Sequence, residues 1–273
     1  MRAFIISLLA AYASAAGTTG LYDYTQGGEN WAASGNICGL DTSKHQSPIN
    51  LLTTDDAAFI KDEDLAISMK GFGALADTDV AYPKESDSNA TNTTGHPINW
   101  QAVWVGDWVE TATVTRTAGD GTSAEYKPLQ MHFHTPSEHT VDGQTHDAEV
   151  HFVNQSADGV YAVVGVFFKT EGATAENTTF IQDVIDGYQQ PANTMDIAAF
   201  VSTVAYDGVD MWQYDGSFTT PPCTEGVKWT VLKTPMHITA AQLTTMSFFT
   251  KGQAGLADAA TMFTTNISGA LLS

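Results

Sequence analysis

Between Leu129 and His134 apolar and polar side chains alternate without a break. Leu129, Met131 and Phe133 fall on one side of an extended chain, Gln130, His132 and His134 on the other. Short stretches of similar character recur roughly every ten residues from Leu65 onward. They are Leu65 to Met69, Ile98 to Val105, Thr111 to Thr117, Leu129 to Phe133, Ala148 to Val153 and Val160 to Phe168, and Gly, Asp, Asn and Ser fill the turns between them. Helical spacing is confined to Thr178–Gly187 and Ala240–Phe249. No repeat or linker divides the chain. The pattern predicts a mainly β (α+β) single domain, built on a large twisted, mostly antiparallel sheet with small peripheral helices.

The N-terminus departs from this pattern. Met1 and Arg2 precede an apolar run from Ala3 to Ala11, followed by the small residues Ala13, Ser14, Ala15, Ala16 and Gly17. This reads as a secretory signal over residues 1–16, leaving 17–273 as the mature domain. Its apolar core is too short to span a bilayer, and no later segment offers the roughly 18 apolar residues a span needs. The expected destination is the extracellular space or an internal lumen. Sequons at Asn89, Asn92, Asn154, Asn177 and Asn266 suit export and a glycoprotein, and Cys38 and Cys223 suit a single disulfide in an oxidising compartment.

With 31 acidic against 11 basic residues the formal charge is -20, a field that repels nucleic acid. An acidic surface keeps a protein soluble, and a salty medium would screen its carboxylates.

Five of the eight histidines (His132, His134, His139, His146 and His151) lie within one twenty-residue window. His132 and His134 share a strand face, and two imidazoles so placed can hold one metal or simply meet solvent. A turn at Asp142-Gly143 lets Ala148-Glu149-Val150-His151 return beside them and supply a third nitrogen. Three neutral imidazoles suit zinc and leave a fourth position open, the arrangement of a catalytic site. His139 and His146 read as structural or surface residues.

Several segments together resemble the alpha-class carbonic anhydrases. They are Gln130-Met131-His132-Phe133-His134, Ser137-Glu138-His139-Thr140-Val141-Asp142-Gly143, Ala148-Glu149-Val150-His151 and Thr219-Thr220-Pro221-Pro222. Gln46-Ser47-Pro48-Ile49-Asn50, Gly95-His96 and Gly226-Val227-Lys228-Trp229 fall in register, so the resemblance runs from Tyr24 to Leu232. It implies one zinc per chain on His132, His134 and His151, and reversible hydration of carbon dioxide to bicarbonate by attack of zinc-bound hydroxide. It also implies side activity on activated esters. The oligomeric state is not legible.

By the same resemblance Thr219 orients the hydroxide while its own hydroxyl donates a hydrogen bond to Glu138. Gln130 and Glu149 back His132 and His151. Val153, Val163, Phe218, Thr220, Val227 and Trp229 surround the substrate, with Phe218 where many relatives carry leucine. His96 shuttles protons to solvent, with Tyr24 and Asn99 ordering the water between. Cys38 and Cys223 match positions that pair in exported relatives. The family's carbonyl partner for His134 lies in an Asn-x-Arg-Pro segment, whose counterpart Asn266-Ile267-Ser268-Gly269 lacks Arg-Pro. Some relatives only bind or build a matrix after losing a zinc histidine; here all three remain.

Overall fold

The structure is a computed structural model that describes residues 37–38, 43–54, 59–60, 67–71, 74–75, 80–81, 101–104, 107–174, 178–189, 195–196 and 210–250. The expected signal peptide, Tyr24, His96, Asn99, the sequons at Asn89, Asn92, Asn177 and Asn266, and the segment Asn266–Gly269 lie outside these residues.

In chain order the strands are β1 (Asn50–Leu51), β2 (Phe59–Ile60), β3 (Ile67–Lys70), β4 (Ala74–Leu75), β5 (Val80–Ala81), β6 (Gln101–Trp104), β7 (Thr113–Thr117) and β8 (Ser123–His134). They continue as β9 (Thr140–Val141), β10 (Gln144–Thr145), β11 (Ala148–Gln155), β12 (Tyr161–Lys169), β13 (Met195–Asp196), β14 (Met211–Ser217), β15 (Glu225–Leu232) and β16 (Met236–His237). One large sheet has the order β2-β14-β15-β12-β11-β8-β6-β5, with β16 beside β12, β7 beside β8 and β3 beside β7. Its pairings are antiparallel except β12 with β15 and with β16, which are parallel. The expected sheet architecture is therefore present, with its parallel pairs on either end of β12.

The alternation in β8 sorts residues between two cores. Met131 and Phe133 join Val150, Phe152, Val164, Val166 and Phe168 on one face. The helices Thr179–Gln189 and Ala240–Thr250 cover that face, contributing Phe180, Ile181, Val184, Ile185 and Met246. The second helix starts in a capping box: Thr239 Oγ1 accepts from the Gln242 amide at 3.1 Å while the Thr239 amide donates to Gln242 Oε1 at 2.9 Å. On the opposite face Val153, Val163, Phe167, Trp212, Val227, Trp229 and Val231 form a second apolar cluster. Because both faces are covered, β11 and β12 are buried almost throughout. The histidines emerge among the second cluster.

Candidate metal centre

Register brings the histidines together. His151 on β11 lies directly opposite His132 on β8, and Glu149 lies opposite His134. The alternation of β8 keeps His132 and His134 on one face, so three rings converge, with ligand nitrogens within 4.8 Å of one another.

The partners behind these rings set their tautomers. His132 Nδ1 donates to Gln130 Oε1 at 2.9 Å, leaving Nε2 as the lone-pair nitrogen. His151 Nε2 donates to Glu149 Oε1 at 2.9 Å, leaving Nδ1 free in the same sense. These two lone-pair nitrogens face each other across 3.3 Å. With no proton between them they repel, and a cation relieves that repulsion. Among the described residues three buried side-chain atoms have no hydrogen-bond partner, and two of them, His134 Nε2 and Glu138 Oε2, belong to this cluster. Burial, then the neighbouring His151, holds both His132 and His134 well below the usual imidazole range, so both are neutral and able to ligate near neutral pH. The donor set is three imidazoles, the type that zinc takes.

Glu149 is 0% exposed and saturated with donors. Its Oε2 accepts the amides of Glu138 and His139, each at 3.0 Å, and its Oε1 accepts from His139 Nδ1 at 2.7 Å as well as from His151. Burial alone would push its carboxyl up, yet His139, His151 and these bonds outweigh burial and hold it well below the carboxylate range. Gly165, opposite His151 on β12, makes room for it: a Cβ there would stand 3.0 Å from Glu149 Oε1 and 3.4 Å from Val231.

Of the two readings the sequence left for His139, structural or surface, the structure takes the first: it is 0% exposed and backs the cluster. Its Nε2 accepts from Tyr214 Oη at 2.6 Å, and Tyr214 Oη meets Ser47 Oγ at 2.9 Å. Ser47 and Ser217 then exchange bonds, the Ser47 amide to Ser217 Oγ at 2.9 Å and the Ser217 amide to Ser47 Oγ at 3.1 Å. One buried chain of hydrogen bonds thus connects His151 to the strand end that leads into Thr219. Tyr214 carried no sequence signal, and Ser47 was marked only as part of the segment Gln46–Asn50 that resembles the family. Gly216 sits beside this chain, and a Cβ on it would run into Ser47, Tyr214 and Trp229.

Thr219 is buried and borders the cavity in front of the histidines. Its hydroxyl bonds the Glu138 carboxyl, an interaction that opposes the burial pushing that carboxyl up to about 8. A divalent cation among the histidines would pull Glu138 downward as well. Glu138 Oε1 also lies 3.3 Å from His134 Nδ1.

The cavity, about 20 Å³, is lined by His132, His151, Val153, Val163, Phe218, Thr219, Thr220 and Trp229. Val227 does not border it but packs in the apolar cluster beneath. Cys38 and Cys223 form a disulfide close to the Thr219 loop, and the Cys223 amide donates to Thr220 O at 2.9 Å. Asn154 contradicts the reading of an accessible sequon. It is 1% exposed, and its Nδ2 donates to Phe152 O at 3.0 Å and Ala162 O at 3.2 Å.

Similar proteins point the same way as the geometry. Alpha carbonic anhydrase 6 of Arabidopsis thaliana is 32% identical over 241 residues, 86% of this chain and 81% of that protein. A solved alpha-carbonic anhydrase from Thermovibrio ammonificans, in complex with the inhibitor sulfanilamide, is 27% identical. It superposes with a TM-score of 0.57 over 85% of this chain and 93% of its own. The family described as eukaryotic-type carbonic anhydrase matches residues 26–265. With three converging imidazoles on that sheet, the chain belongs to the eukaryotic-type carbonic anhydrase family.

Proposed function

We propose that this chain is a carbonic anhydrase that reversibly hydrates carbon dioxide to bicarbonate and a proton, with one zinc on His132, His134 and His151. The observation that carries the reading is the convergence of those three imidazoles within 4.8 Å, with the outer nitrogens of His132 and His151 already committed. Zinc in such a setting acidifies the water it binds, carbonic anhydrase itself being the reference case for that behaviour.

The chain's own residues do the rest. Gln130 and Glu149 hold the tautomers of His132 and His151, so that each offers a lone pair inward. Thr219 donates its hydroxyl hydrogen bond to Glu138 and so can accept one only from the attacking oxygen, aiming a lone pair of that oxygen at the substrate carbon. Val153, Val163, Phe218 and Trp229 form an apolar wall suited to a small molecule with no strong hydrogen-bonding handle. Thr220 lies at the edge of that wall. His96 takes the released proton to solvent, with Tyr24 and Asn99 ordering water on the way. A buried disulfide suits export after removal of residues 1–16, with 17–273 as the catalytic domain. Activated esters are expected as side substrates.

The rival reading, an exported relative that binds without catalysis, has no need for three inward nitrogens, Glu138 and Thr219 to stay together. Stopped-flow hydration of carbon dioxide with a pH indicator, with zinc content measured alongside, separates the two. Wild type should be active, His132→Ala nearly inactive and zinc-poor, and His96→Ala slow but partly restored by imidazole. Full activity in zinc-free wild type would overturn the proposal.

A further inference from the structure

Two aromatic side chains meet edge to face at the border of the proposed reaction site. Tyr161 opens β12, and Phe218 immediately precedes Thr219. Their ring centroids are 4.8 Å apart with planes at 70°, the T-shaped contact that aromatic pairs favour. Both rings are partly buried against the cluster that contains Val153, Val163 and Trp229.

Only Phe218 of the pair borders the cavity. Tyr161 lies two residues before Val163 on the same strand, hence on the same face of the sheet, and extends the wall outward from it. A phenylalanine in a loop has other staggered rotamers available, and swinging aside would enlarge the site. The Tyr161 ring occupies the flank against which Phe218 packs, so that swing costs an aromatic contact.

We propose that Tyr161 is a positioning residue that turns Phe218 into a size filter, restricting the site to the smallest carbonyl compounds and excluding acyl groups longer than acetyl. This rests on the reading of the cavity as a reaction site.

The test measures kcat/KM for 4-nitrophenyl acetate and butyrate on zinc-loaded wild type, Tyr161→Phe, Tyr161→Leu, Phe218→Leu and the double Leu variant. Carbon dioxide hydration is measured in parallel. The acetate-over-butyrate preference should fall by about tenfold in each Leu variant. It should be kept by Tyr161→Phe, which retains the ring, and should fall no further in the double variant, because both changes remove one contact. Tyr161→Met, bulky but ringless, substitutes if Tyr161→Leu does not fold.

A second readout needs no turnover: thermal midpoints of the zinc-loaded proteins with formate and with benzoate. Formate should raise the midpoint of all of them, benzoate only that of the Leu variants. Wild-type preference retained in Tyr161→Leu, losses that multiply in the double variant, or benzoate stabilising wild type as much as Tyr161→Leu would each overturn the proposal. Loss of the broader reading would show separately, as wild type without zinc-dependent hydration of carbon dioxide.

Discussion

Glu138 Oε1 stands 3.3 Å from His134 Nδ1, on the same carboxyl group that receives the Thr219 hydroxyl. One side chain therefore touches both one of the three converging imidazoles and the threonine at the cavity. Glu138→Gln should reduce turnover and also weaken zinc binding by about 10- to 100-fold, the usual cost of losing a ligand's hydrogen-bond partner. Thr219→Val should reduce turnover and leave zinc affinity near wild type. Competition with a chromogenic chelator reads the affinities, and unchanged affinity in Glu138→Gln would make the His134 contact incidental.

His139 offers a stability test. Among the described residues it is the only imidazole on Glu149 besides His151, and the carboxylate is fully buried. His139→Leu leaves that charge short of a partner and Tyr214 Oη without its acceptor. Leaving a buried acceptor short of a hydrogen bond costs about 1–3 kcal/mol, and more when the acceptor is charged. Urea unfolding of the zinc-free variant should show a loss of that size, and a loss below about 1 kcal/mol would mean that solvent reaches Glu149.

The histidines also fix a sign for pH. In the unfolded chain an imidazole takes its proton near pH 6.5. Buried His132 and His134 resist protonation until well below that. Between the two the unfolded state binds more protons, so these residues make folding less stable as pH falls. Glu138, held up to about 8, acts in the opposite sense over its own range. A comparison isolates the imidazole: zinc-free His132→Gln should lose less stability than zinc-free wild type between about pH 7.5 and about pH 5.5. Equal losses in urea midpoint would contradict the assignment.

The parts of this architecture written in short-range pattern were readable in the chain. The alternation of β8 put His132 and His134 on one face, and helical spacing marked the helices Thr179–Gln189 and Ala240–Thr250, the latter beginning at a Thr239–Gln242 cap, but not the single turn Trp108–Thr111. Strand β14, Met211–Ser217, was not predicted: its sequence MWQYDGS mixes polar residues and a glycine, and its residues make sense only beside β15 and Ser47. The choice between structural and surface was open for His139 for a similar reason: its burial depends on Glu149 and Tyr214 arriving from other strands. The pairing of Thr219 with Glu138 came only through family resemblance, because no local periodicity relates residues 81 positions apart.

Asn154 shows how a local motif yields to tertiary structure. Its amide is spent on two carbonyls inside the sheet. After expression in a glycosylating host, mass spectrometry should find the Asn154 peptide unmodified in folded protein. Full occupancy there would contradict its burial.

The central claim is that three histidines hold the one ion on which activity depends. Chelator-stripped protein titrated with zinc, with carbon dioxide hydration followed at each addition, tests it most directly. Activity should rise linearly and break at one zinc per chain, and His134→Ala should show no rise over the same range. Activity in the stripped protein, or a rise in His134→Ala matching wild type, would contradict the account.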